Sequence, residues 1–128
     1  IAAAQAVARA IHALARGADP DDLRADLSAR FGYDLRPASA FAGGGFDISA
    51  HGTMPPAMTA ALTCASWEAA VRRVIGLGGD TDTLACIAGA VAEARHGVPA
   101  AIAARARSYL TDDLLAVLER AEARLGRA

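Results

Sequence analysis

The chain has 128 residues, of which 54% are hydrophobic but only 5% aromatic, because alanine supplies much of the apolar content. This length suits one domain, and a formal net charge of −1 argues against a nucleic-acid-binding protein that depends on phosphate contacts. No apolar run reaches membrane-spanning length, and Cys64 and Cys86 show neither zinc-ligand spacing nor a disulfide pattern. We therefore expect a soluble, cytoplasmic domain that binds neither nucleic acid nor a membrane.

Helical patterns fill most of the chain. Apolar residues recur at helical spacing from Ile1 to Arg16, and Gly17 follows as a residue that ends helices. Asp19 is a good N-cap for a second helix that starts with Pro20 and runs to about Arg30. Because no strand pattern is present, we predict an all-α fold. It would be an orthogonal bundle of about six helices in a single domain over residues 1–128.

Residues 31–56 differ from the rest of the chain. They hold five glycines, including the run Gly43–Gly45, and three prolines, and they show no sustained period. Long connections of this kind are often functional. We predict one long Gly/Pro-rich loop here, with helices returning from Pro56 onwards.

The stretch IGLGGDTDTLA, Ile75 to Ala85, places two carboxylates one residue apart before an alanine-rich helix. The aspartates could cap the helix and meet its dipole, or they could bind a hard cation such as Mg²⁺. A haloacid-dehalogenase-type phosphotransferase also has two aspartates at this spacing. That motif follows a strand and has a glycine before its threonine, and both features are missing here.

A shared cation imposes a condition on the backbone. On a continuous helix Asp80 and Thr83 would share a face, whereas Asp82 would point away from Asp80. Both aspartates can meet one ion only if the backbone is not yet helical at Asp80. The pair Gly78-Gly79 supplies the necessary freedom.

Several motifs in register resemble the ADP-ribosylglycohydrolase family, the relatives of dinitrogenase reductase-activating glycohydrolase. GLGGDTDTLACIAGAVAEARHG (Gly76 to Gly97) is similar to the family's C-terminal signature. FGYDL (Phe31 to Leu35) and FDISAHGTMPPAM (Phe46 to Met58) resemble two upstream segments, and YLTDDLLAVLER (Tyr109 to Arg120) resembles the closing helix. The resemblance covers essentially the whole chain.

This resemblance implies a function. The family fold is an all-α bundle with a binuclear Mg²⁺ centre that holds ADP-ribose. By resemblance, Asp80, Asp82 and Thr83 would be the C-terminal half of the metal ligand set. The implied reaction is Mg²⁺-dependent hydrolysis of the glycosidic bond between ADP-ribose and an acceptor. No residue of the chain is assigned as the catalytic group.

The segment from Phe46 to Pro55 would line the substrate pocket by the same resemblance. Asp47 and Ser49 would contact ribose or phosphate, and Gly52-Thr53 would bring backbone N–H groups near the ligand. Phe46 is the candidate for stacking on adenine. The alternative is that Asp47 and Ser49 satisfy their own backbone and that Phe46 packs in the core.

In this family the other metal ligands come from an N-terminal half. The chain begins at Ile1, inside a helical pattern, and reads as a piece of something longer. Thr111-Asp112-Asp113 is better explained as the cap and first turn of the last helix than as a substitute ligand set. We expect weak Mg²⁺ binding and no hydrolysis without a complementing N-terminal segment. The alternative is a non-catalytic ADP-ribose- or nucleotide-binding module, or a degenerate remnant that covers exposed apolar faces by self-association.

Overall fold

The computed structural model describes residues 1–42 and 46–126. These residues form eight helices and no strand, which confirms the all-α prediction and exceeds the predicted number of about six. The Gly43–Gly45 run lies outside the described residues. The helices are α1 (Ala2–Ala15), α2 (Pro20–Phe31), α3 (Pro37–Ala40), α4 (Ala50–Thr63), α5 (Trp67–Ile75), α6 (Thr81–His96), α7 (Ala100–Arg107) and α8 (Asp112–Arg124).

The chain divides into two compact units. The first unit extends from Ile1 to Gly97 and contains α1 to α6, and the second begins at Val98 and contains α7 and α8. In the part of the chain that the structure describes, no helix is both long and apolar enough to span a bilayer.

The start of α2 follows its sequence signals. The Asp19 carboxylate accepts hydrogen bonds from the N–H groups of Asp21 (2.9 Å) and Asp22 (3.1 Å), and Pro20 occupies the first helical position. Gly32 ends the helix in the left-handed region, with φ of 72°. The predicted cap at Asp19 is therefore confirmed.

An ion pair joins α1 to α2. The Arg9 guanidinium donates to Asp26 over 2.6 Å, and Arg30 donates to the other oxygen of the same carboxylate over 2.8 Å. These two donors, Arg9 first, lower the pKa of Asp26 to about 2. The carboxylate thus stays ionised well below the ordinary range for aspartate.

Helix α6 is the centre of the first unit and packs against α1, α4 and α5. Its small residues permit close approach to α5, because Gly89 faces the Trp67 ring and the indole N–H donates to the Gly89 carbonyl over 3.0 Å. Ala88 and Ala92 beside it are fully buried. The indole N–H of this half-buried side chain thereby has a hydrogen-bond partner.

The other end of α6 holds the end of α4. Arg95 donates to the carbonyls of Leu62 (2.8 Å), Cys64 (3.0 Å) and Ala61 (3.4 Å). Carbonyls in the last turn of a helix lack partners within that helix. The guanidinium supplies those partners and fixes α6 against α4.

The predicted loop over residues 31–56 is partly wrong, because it contains α3 and the first half of α4. Helix α4 begins at Ala50 and continues through Pro55 and Pro56. A proline inside a helix removes a backbone hydrogen bond and clashes with the carbonyl four residues before it. Together these effects destabilise the helix by about 3 kcal/mol or more. The Ser49 cap and the burial of residues such as Met54, which is 1% exposed, oppose this cost.

In the second unit, Arg107 pairs with Glu122 over 2.8 Å. Thr111 occupies the predicted N-cap position of α8, but its hydroxyl donates to Asp113 and makes no cap bond to a backbone N–H. No residue of α7 or α8 is buried, and Leu114 and Val117 are each 53% exposed.

The Arg9–Asp26 contact predicts a pH dependence of stability. Because the folded pKa of Asp26 is lowered to about 2, its contribution is full above the unfolded value of about 3.9 and is lost as pH falls towards 2. We expect Asp26→Asn to remove part of the fall in urea midpoint between about pH 4 and pH 2. Asp22→Asn, an exposed change on the same helix, is the control. If both variants follow the wild-type pH profile, the ion pair does not stabilise the fold.

The packing at Gly89 predicts that the free energy of unfolding depends on the size of the side chain at this position. An added Cβ would lie 3.5 Å from the Trp67 ring, which is ordinary van der Waals contact. We expect Gly89→Ala to change the free energy of unfolding by less than about 1 kcal/mol and Gly89→Leu to lower it by about 1–3 kcal/mol through overpacking. Urea denaturation measures both, with the exposed Ala90→Leu as control. Wild-type stability of Gly89→Leu would contradict this packing.

Candidate functional site

The aspartate motif begins at a turn that is not helical. Gly78 and Gly79 both have φ of 77°, in the left-handed region. Asp80 follows at φ −79° and ψ 64°, and α6 starts only at Thr81. The backbone condition for both aspartates to meet one ion is therefore present, at the glycine pair from which it was predicted.

Capping does not account for Asp80. The residue stands at the N-cap position of α6, but its side chain makes no cap hydrogen bond. In contrast, the side chains of Asp19, Ser49 and Ser66 each accept a backbone N–H at the start of their helices. The Asp80 carboxyl group is thus directed to another partner.

That partner is the neighbouring carboxyl group. A hydrogen bond with the Asp80 side chain is the main cause that lowers the pKa of Asp82, and the backbone N–H of Thr83 contributes next. Two carboxyl groups this close repel when both are ionised. Among the described residues, no arginine or histidine forms an ion pair with either of them.

The donor set suits a hard cation but is small. Asp80, Asp82 and Thr83 offer only oxygen atoms, which are the ligands that Mg²⁺ prefers, and a cation would relieve the repulsion between the carboxylates. Within residues 1–42 and 46–126 there is no group of three or more His, Cys, Asp and Glu side chains that could hold a metal ion. The residues fit part of a magnesium site.

The predicted substrate segment is exposed at its start and bound to its own backbone. Phe46 is 75% exposed, so it does not pack in the core. The Asp47 carboxylate accepts the Ser49 N–H over 2.7 Å, and bonds from Ser49 lower the pKa of Asp47. The Ser49 hydroxyl in turn accepts the Gly52 N–H over 3.1 Å.

The two backbone N–H groups predicted to face a ligand already have acceptors. The N–H groups of Gly52 (3.1 Å) and Thr53 (2.9 Å) both donate to the Ser49 carbonyl. The Thr53 hydroxyl donates to the same oxygen over 2.9 Å, and the residue is 4% exposed. These bonds belong to the first turn of α4, and ligand contact by either residue stays a prediction.

A groove of about 470 Å³ lies between α1, the start of α4 and α6, and the sequence did not predict it. Its lining is almost entirely apolar and comes from α1, from the start of α4 including Thr53, and from Ile87 of α6. Ile87 lies one helical turn after Thr83, on the same face of α6. Two features of the sequence could have indicated this groove. They are the spacing from Thr83 to Ile87 and the apolar face of α1.

A family model described as ADP-ribosylglycohydrolase matches residues 1–127. The match includes the aspartate motif, the Phe46 segment and the helices around the groove. Searches of curated proteins and of solved structures found no match. The resemblance inferred from the separate motifs is confirmed by this match.

The left-handed turn predicts a specific sensitivity to substitution. No atom lies within 4 Å of a Cβ built at Gly78, so Gly78→Ala tests the backbone conformation alone. We expect it to lower the free energy of unfolding by about 1–2 kcal/mol. Gly76→Ala is the matched control, since Gly76 has φ −66° and its Cβ would lie 3.4 Å from the Arg72 carbonyl oxygen. Equal stabilities of the two variants in urea would contradict the left-handed turn.

Proposed function

Because the chain belongs to the ADP-ribosylglycohydrolase family, we propose that it supplies half of a Mg²⁺ site for hydrolysis of ADP-ribosyl bonds. The bond cleaved is the glycosidic bond between ADP-ribose and an acceptor. Asp80, Asp82 and Thr83 are the proposed ligands.

The proposal depends most on the contact between the Asp80 and Asp82 carboxyl groups. Asp80 lies just before α6 and Asp82 in its first turn, and neither has an arginine or histidine partner among the described residues. The positive end of a helix dipole amounts to about half a charge, which does not neutralise two carboxylates. A divalent cation would neutralise both.

In this proposal, some side chains of the chain bind the metal and others bind the substrate. Asp80 and Asp82 would provide negative charge and Thr83 a neutral oxygen for Mg²⁺, which when bound supplies a Lewis acid that orients ribose hydroxyls and lowers the pKa of a water molecule. The exposed ring of Phe46 offers a surface for adenine. Asp47, held by the Ser49 N–H, offers its remaining acceptor capacity to ribose hydroxyls.

Three side-chain ligands are fewer than a pair of Mg²⁺ ions requires even with water molecules, since each ion demands nearly octahedral geometry. The proposed half-site therefore needs a complementing N-terminal segment that brings the remaining ligands, on another chain or in a longer parent. The apolar groove beside Ile87 gives such a segment a surface on which to pack. Alone, the chain would bind Mg²⁺ weakly and would not hydrolyse ADP-ribosyl bonds.

A second candidate is a non-catalytic module that binds ADP-ribose or a nucleotide. The exposed Phe46 and the ordered Asp47–Ser49 contact favour it, because they require no metal. A self-associating remnant is the further alternative, and the exposed Leu114 and Val117 favour it. Metal dependence separates these candidates from the hydrolase.

Calorimetric titration with Mg²⁺ tests the half-site. We expect weak binding to the wild-type chain and its loss in Asp80→Asn and in Asp82→Asn, since each change removes one of the two anionic ligands. Asp112→Asn, an exposed first-turn aspartate of α8, should leave the binding unchanged. Mg²⁺ binding that survives both changes at the motif would overturn the ligand assignment.

The same preparations test the reaction. With millimolar Mg²⁺ and an ADP-ribosylated protein, we expect no release of ADP-ribose by the chain alone and release when a family N-terminal half is added. Robust turnover by the chain alone would contradict the half-site. ADP-ribose binding that is indifferent to Mg²⁺ and to the Asp80→Asn change would favour the non-catalytic module.

A further inference from the structure

We propose that Gly52 is a positioning residue for Asp47. The absence of a side chain at residue 52 lets the Asp47 carboxyl group lie against the first turn of α4. This contact holds the segment from Phe46 to Ser49 in one conformation. The role in ligand binding depends on the proposed function of Asp47, but the contact itself does not.

The contact leaves no space for any other residue at position 52. A Cβ built on Gly52 would overlap Cγ and Oδ2 of Asp47 and would come within 2.6 Å of its Cβ. Rotation about χ1 of Asp47 moves Cγ and Oδ2 away, but it leaves the Cβ of Asp47 in place. A side chain at residue 52 therefore displaces the backbone of the segment as well as the carboxylate.

Backbone conformation does not explain this glycine. Gly52 is not among the glycines with positive φ, unlike Gly78 and Gly79. Glycine in a helix costs about 0.5–1 kcal/mol relative to alanine. The steric contact with Asp47 is the feature of the structure that offsets this cost.

Hydrogen bonds lock the same residues from the other side. Asp47 accepts the Ser49 N–H over 2.7 Å, and Ser49 accepts the Gly52 N–H over 3.1 Å. Asp47 thus holds Ser49 in place, and Ser49 holds Gly52. If the Asp47 carboxylate moves, the Ser49 N–H loses its acceptor. The position of the exposed Phe46, next to Asp47 in the chain, is then no longer fixed.

A set of double mutants tests the contact independently of function. We expect Gly52→Ala to lower the urea midpoint of the wild-type chain. The loss should be smaller in an Asp47→Ala background, where one Cβ still conflicts, and absent in an Asp47→Gly background. There Gly52→Ala should be neutral or stabilising, because only the helix propensity remains. A neutral Gly52→Ala in the wild type, or an equal loss in all three backgrounds, would overturn the proposal.

Calorimetry with ADP-ribose tests the positioning role, in the presence of Mg²⁺ and the N-terminal half. We expect Gly52→Ala to weaken ADP-ribose binding by on the order of tenfold, the effect of losing one hydrogen bond to a charged group. Mg²⁺ affinity at Asp80 and Asp82 should stay unchanged, and Gly52→Ala should weaken Asp47→Gly no further. A parallel loss of both affinities would mean general disruption and would contradict positioning.

Failure of the two proposals can be told apart. If the wild-type complex does not bind ADP-ribose, the proposed function fails, while the stability measurements still decide the contact between Gly52 and Asp47. If the wild type binds ADP-ribose and Gly52→Ala binds it equally well, the function survives and the positioning role is wrong.

Discussion

Close packing of α6 determines where the aspartate motif lies. Gly89 brings the helix against Trp67, whose indole N–H bonds the Gly89 carbonyl, and Arg95 bonds the last carbonyls of α4. An α-helix rises about 1.5 Å per residue and behaves as a short rod. Two fixed points near its middle and end therefore fix its beginning, about 12 Å from Gly89. That packing therefore determines the position of the first turn of α6, which contains Asp82 and Thr83.

At the start of α6, two carboxyl groups lie without an arginine or histidine ion-pair partner among the described residues. The turn at Gly78 and Gly79 brings the Asp80 carboxyl group to Asp82 instead of letting it cap the helix. A cap would have satisfied a backbone N–H and gained about 1 kcal/mol. The arrangement forgoes this gain and places two acidic groups together, which repel each other when both are ionised.

Local signals in the sequence predicted the local features well, and the wrong predictions concern long-range burial. The all-α fold, the cap at Asp19 and the break before Asp80 depend on neighbours within one turn, so the sequence shows them directly. The predicted loop was wrong from Ala50 onwards, because that part of the sequence has no sustained helical period and proline inside a helix carries an intrinsic cost. The structure opposes that cost with buried contacts of α4, and these depend on α2, α3, α5 and α6 being in place. The groove lined by α1, α4 and α6 could not be predicted for the same reason.

Glycine serves the two candidate segments in two different physical ways. Gly78 allows a backbone conformation that L-residues rarely adopt, and nothing lies within 4 Å of its missing Cβ. Gly52 has no such conformation, and its missing Cβ makes room for a carboxylate. Because one apolar groove borders both α4 at Thr53 and α6 at Ile87, a segment packed there would contact both helices.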